Sequence, residues 1–162
     1  MEKQLKQGRV SNKENQRRRN SLLRFIFLFK FVFKSYIQRF AYTVLGVNNP
    51  RRLLEACLKK GLVGETFLHL IGQRKVYFLK NPGLACLNSG LPLMHYRFRK
   101  KNVNLISIPH SEAVIKGYIF LIHRFPTGQW ISEWILRIGK KKHVRLPDGL
   151  FILEDGTKLA IE

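Results

Sequence analysis

Apolar positions in this chain follow two periods, and the change between them divides it. Leu22, Ile26, Phe29, Phe33, Ile37, Phe40 and Val44 recur at intervals of three and four, the spacing of one helix face. They predict two consecutive core helices over residues 21–46, meeting near Phe33–Ser35 and stopping at Gly46. A third helix is the best marked. Asn49 can cap it, Pro50 suits its first turn, and Leu53, Leu54, Cys57 and Leu58 make one apolar face. Lys59 and Lys60 complement its last turn, and Gly61 ends it. The period then shortens. Residues 65–79, "ETFLHLIGQRKVYFL", are rich in β-formers on either side of Gly72–Gln73 and read as a hairpin. Residues 81–90, "NPGLACLNSG", open a short helix with Asn-Pro and close on Ser-Gly.

Residues 91–109 are basic, bounded by prolines and without a helical face, so they read as a connector. Helical spacing returns in residues 110–125, where Val114, Ile115, Tyr118, Ile119 and Ile122 share a side, and Pro126 breaks it. "QWISEWILRI" follows as a strand, "GKKKH" as a turn, and "LPDGLFILEDGTKLAIE" (residues 146–162) as two more strands. Three helices, a hairpin and a short helix are the order of a winged helix-turn-helix; a helix with three strands starts a second domain. The expected class is α+β. Residues 1–20, polar and without apolar period, form a disordered basic arm; residues 21–90 the winged helix; residues 91–109 the connector; residues 110–162 an incomplete α-β-β-β domain.

Charge sharpens this picture. Among 162 residues, 30 are Lys or Arg and 10 Asp or Glu, a net +20. Residues 1–60 carry +12, residues 61–100 +5 and residues 101–145 +6, whereas residues 146–162 carry −3. Such an excess calls for a polyanion, nucleic acid or an acidic membrane surface. "RRRNSLLRFIFLFKFVFK", residues 17–34, resembles an anchor at first sight, but its uncharged run is Phe25 to Phe29 and Lys30 and Lys34 interrupt the rest. A span needs about 20 apolar residues. The pattern argues against membrane insertion and leaves a basic membrane-surface or exported interaction protein as the rival to DNA binding. Cys57 and Cys86 lack zinc-ligand neighbours; both fit core packing in a reducing, cytoplasmic setting.

Double-stranded DNA is the partner this arrangement favours. Asn48, Asn49, Arg51 and Arg52 stand at the start of the third helix, where a recognition helix makes base contacts. Arg74 and Lys75 sit on the hairpin to meet phosphates, and Arg17, Arg18 and Arg19 supply sequence-independent affinity. A solvated helix end and a solvated turn are the plain alternatives.

"HSEAVIKGYIFL", "WISEWIL" and "LPDGLFILEDGTKLAIE", with His110, Trp130, Glu133, Pro147, Asp148, Gly149 and Glu162 at the matching positions, resemble the replication-relaxation family of plasmid and conjugative-element proteins. The likeness covers about residues 21–162. It implies a winged helix followed by a restriction-endonuclease-like PD-(D/E)xK core, and a role in replication, mobilisation or their control for a mobile genetic element. Asp148 and Glu162 would be that core's two carboxylates, holding a divalent cation over a phosphate. The assisting lysine is expected two residues beyond Glu162, after the last residue given, so the core is expected to be truncated and inactive. Mg2+ enters only if a metal-dependent endonuclease site is completed, for instance in a homodimer. The plain alternative for both carboxylates is turn chemistry, since Pro-Asp-Gly and Glu-Asp-Gly are common turn formers.

Overall fold

A computed structural model of the protein describes residues 11–68, 74–87, 90–100, 103, 106–141 and 143–162. Helix and sheet are mixed, as an α+β chain requires. The elements run α1 (Asn12–Phe29), β1 (Val32–Phe33), α2 (Lys34–Thr43), α3 (Pro50–Lys59), β2 (Val63–Phe67), β3 (Lys75–Leu79) and α4 (Asn81–Ala85). A 3-10 turn at Leu93–His95 leads to α5 (Ile108–Arg124), β4 (Gln129–Ser132), α6 (Glu133–Leu136), β5 (Gly149–Ile152) and β6 (Lys158–Ile161).

The basic arm is the first correction. Residues 1–10 lie outside the described residues, but the polar run after them is helical: Ser11 caps α1 by accepting a hydrogen bond from the Glu14 amide at 3.2 Å. Ser11 and Glu14 stand three apart, the spacing of a capping box. Glu14 also bridges Arg17 and Arg18, both at 2.9 Å, the i+3 and i+4 pairing that supports the polar first turns of the helix.

The break between the first two helices is the second. α1 ends at Phe29, and Lys30 turns the chain with a φ of 61°. Val32 and Phe33 are then extended and pair antiparallel with Tyr77 and Val76 of β3. Apolar spacing continues through the break because strand and helix face the same core. Tyr96 secures the corner: its hydroxyl donates to the Lys30 carbonyl at 2.7 Å and accepts from the Leu79 amide at 2.9 Å. Residues 91–100 therefore do more than connect; Tyr96 is buried, and Phe98 stacks on Phe78 with ring centres 4.5 Å apart.

α3 forms as read. Asn49 accepts from the Arg52 amide at 3.2 Å, Pro50 starts the helix, and Gly61 leaves it at a φ of 66°. β2 and β3 pair from Val63↔Leu79 to Phe67↔Lys75, giving the sheet order β1-β3-β2; the hairpin tip at Gly72–Gln73 lies outside the described residues.

α5 carries Ile115, Tyr118 and Ile119 into the core. The second sheet is an antiparallel meander, β4-β5-β6. "QWISEWILRI" is a strand only to Ser132: α6 begins at Glu133, so that Trp134 turns inward and donates from Nε1 to the Leu28 carbonyl at 2.8 Å. Of the two candidate turns, Glu-Asp-Gly is one. Gly156 has a φ of 85°, and Leu153 donates to the Thr157 carbonyl at 2.8 Å. Pro-Asp-Gly is not a hairpin turn. Gly149 is a strand residue beneath the Trp130 indole, and a Cβ there would overlap ring atom Cζ2.

One hydrophobic cluster joins both halves, from Leu22 on α1 to Phe151 on β5. Phe25 is its hub, stacked on Phe40 at 4.2 Å and on Tyr118 at 5.7 Å. Leu22, Leu23, Phe25, Ile26, Phe27 and Leu28 are all buried, so the apolar face suspected of meeting a membrane is spent on packing. Among the described residues no helix is long and apolar enough to cross a membrane.

Candidate nucleic-acid interface

Residues of α1, of the loop Gly46–Asn49 and of α3 line one space. The result is a groove of about 1060 Å³. α1 contributes Asn12, Asn15, Gln16, Arg18 and Arg19; the loop contributes Asn48 and Asn49; α3 contributes Arg52, and Lys60 follows from its C-cap. No Asp or Glu is among its described lining residues. Cations and amide donors share one surface, with Arg18 partly offset by Glu14 at 2.9 Å, and such a cluster of like charge concentrates positive potential.

Arg18, Arg19, Asn48, Asn49 and Arg52, expected to act on DNA from separate segments, are brought together here. Arg19 reaches back to the Gln16 side-chain oxygen, while its Nε is buried without a protein partner. The Asn49 carbonyl oxygen is used by the cap, leaving its amide NH2 as a donor. Lys60, Asn15 and Gln16 complete the groove and were not singled out from sequence. The signal was present: the capping spacing Ser11–Glu14 starts α1 early enough to put residues 15, 16 and 19 beside α3.

Other candidates are held elsewhere. Arg17 faces away from this groove and binds Glu14 through two nitrogens, at 2.9 and 3.2 Å. That guanidinium holds the exposed Glu14 carboxyl below its usual range. Arg51 is exposed and paired with Glu55 at 2.6 Å, which raises its own pKa. On the hairpin, Lys75 pairs with Glu65 at 2.9 Å. Arg74 bonds Glu112 of α5, with its guanidinium 3.9 Å from the Phe33 ring centre. The hairpin cations therefore tie the hairpin base to its own partner strand and to α5.

The carboxylate pair lies at the edge of the second sheet. Gly149↔Ile161 register, with the Asp148 amide donating to the Ile161 carbonyl at 2.9 Å, brings Asp148 and Glu162 to neighbouring strand ends. Asp148 also meets His110 Nε2 at 2.9 Å. Glu133, which bonds Arg137, lines the same 140 Å³ hollow as His110 and Asp148. The set on offer is two carboxylates, one of them shared with an imidazole. Among the described residues no three His, Cys, Asp or Glu side chains gather to hold a metal ion.

Comparison with protein-family models, with curated proteins and with solved structures finds no match for the chain.

Proposed function

We propose that the protein binds double-stranded DNA through a winged helix-turn-helix spanning α1 to β3, acting in the cytoplasm on behalf of a mobile genetic element. The observation that carries this reading is the α1–α3 groove: a donor-rich, acid-free channel at the start of the helix that the β1-β3-β2 sheet holds in place. The element order helix-strand-helix-helix-strand-strand supports the winged-helix assignment, and the replication-relaxation resemblance supplies the biological setting. In this reading Arg18, Arg19 and Lys60 neutralise phosphates, which fixes register without reading sequence. Arg52, Asn48 and the free amide of Asn49 are the groups able to reach base edges.

Fluorescence anisotropy with a labelled duplex, titrated with salt, tests it. Log affinity should fall linearly with log salt, by about 0.9 per phosphate contact, and the double substitution Arg18→Gln/Lys60→Gln should make the slope shallower by about 1.8. Arg52→Ala should weaken binding and relax sequence preference. Absence of binding at low salt, or a slope indifferent to the groove residues, rejects the reading.

A second reading rests on the β5–β6 register. Asp148 and Glu162 would hold a magnesium ion, which when bound supplies Lewis-acid polarisation of a phosphate. Magnesium-dependent nicking of plasmid that Asp148→Ala abolishes would establish this activity; equal nicking by both proteins removes it.

A further inference from the structure

We propose that bound DNA continues out of the α3 groove, over α1, into a second phosphate-binding hollow between α1 and α5. This rests on the DNA-binding reading and extends its footprint onto the half of the chain that holds the second sheet. The hollow has a volume of about 540 Å³, and its rim carries Arg17, Arg18 and Arg24 of α1 and His123 of α5. No Asp or Glu is among its described lining residues.

Two features make it continuous with the groove. Arg18 lines both spaces, and the consecutive residues Leu45 and Gly46 line one each. The acidic group at this junction is Glu14, whose carboxylate Arg17 and Arg18 hold at 2.9 Å; neither space has an Asp or Glu among its described lining residues. From Arg18 to Arg24 the helix rises about 9 Å, the axial length of about two to three base pairs. Arg17, Ser21 and Arg24 fall at i, i+4 and i+7, one stripe along α1, and all three line the hollow. Among the described residues Arg24 makes no ion pair, whereas Arg17 and Arg18 share Glu14. Arg24 is the uncompensated charge of this surface.

The chemistry of the floor selects phosphate over base. Phe40, Tyr118 and Trp130 underlie the rim but are 3%, 6% and 5% exposed. Their faces are occupied by one another and by Phe25 and Phe29, with Tyr118 and Trp130 edge-to-face at 5.5 Å. Stacking of unpaired bases needs an open aromatic face, and none is offered. What such a floor does provide is a low-dielectric backing, which strengthens the attraction between the arginines and an anion in front of them. A duplex backbone supplies a continuous row of such anions.

The test uses the full chain and a labelled duplex of about 25 base pairs, with folding of each variant checked by circular dichroism and melting. Arg17→Gln/Arg24→Gln should lower the salt slope by about 1.8, at about 0.9 per contact, uniformly across DNA sequences. Hydroxyl-radical footprinting should lose protection at one end only. An unchanged slope in this variant, with a shallower one in Arg19→Gln/Lys60→Gln, whose residues line the groove alone, overturns the second hollow and leaves the groove standing. The reverse pattern establishes the hollow and overturns the groove. Wild-type protein that binds no duplex overturns both.

Discussion

Cys57 shows how one buried side chain ties stability to pH. Burial pushes its thiol up from 9.0 to about 11, so the folded protein keeps the proton that the unfolded chain loses. A raised folded value contributes stability that is complete below pH 9 and is lost as pH climbs toward 11, by about 2–3 kcal/mol in full. Tyr96 and Tyr118 are pushed up by burial in the same direction, so the loss continues above pH 10. Melting temperatures should hold from pH 8 to 9 and fall from pH 9 to 11, and Cys57→Ala should flatten the first part of the decline. A thiol reagent at pH 8 should label the partly exposed Cys86 quickly and Cys57 only on unfolding. Gly149 makes the complementary point about space. Gly149→Ala drives a methyl group into the Trp130 ring and should cost about 1–3 kcal/mol in denaturant unfolding. A turn role for this glycine would predict a much smaller cost, because its φ is not positive.

At the scale of elements, the corner between α1 and β1 depends on a residue far along the chain. Tyr96→Phe keeps the ring and removes the hydroxyl that serves both Lys30 and Leu79. It removes the partner of the buried Leu79 amide and of the partly buried Lys30 carbonyl and should destabilise by about 1–3 kcal/mol. The hairpin base behaves likewise. Arg74 bonds Glu112 and covers Phe33, so Arg74→Ala should lower the melting temperature while leaving the DNA salt slope unchanged. A slope shallower by about 0.9 would instead return Arg74 to the phosphate contacts expected from its position on the hairpin.

For the whole molecule the decisive fact is the shared core. Phe25, Phe29 and Phe40 of the first half interlock with Tyr118 and Trp130 of the second, and Trp134 bonds the backbone of α1. Such a core should unfold as a unit, giving a single transition in which near- and far-ultraviolet circular dichroism coincide. Phe25→Ala should move that whole transition by about 3–5 kcal/mol. Two separable transitions, only one of them shifted, would mean that residues 110–162 fold independently.

Local rules sufficed where the determining residues lie close together in the chain. Asn49, Pro50 and Gly61 delimit α3 because caps and stops act within a turn, and the 3.6-residue spacing of Ile115, Tyr118 and Ile119 marks α5 for the same reason. The +20 charge is likewise a property of the sequence alone. What needed tertiary structure is what distant residues do to one another. Lys30 leaves the helix because Val32 and Phe33 are claimed by β3, over 40 residues away. Gly149 is small because Trp130 lies on it, and Arg18 and Arg52 line one groove because the fold brings α1 and α3 to the same surface. Periodicity records that a face is buried; only the folded chain decides against what, and so which charges share a surface.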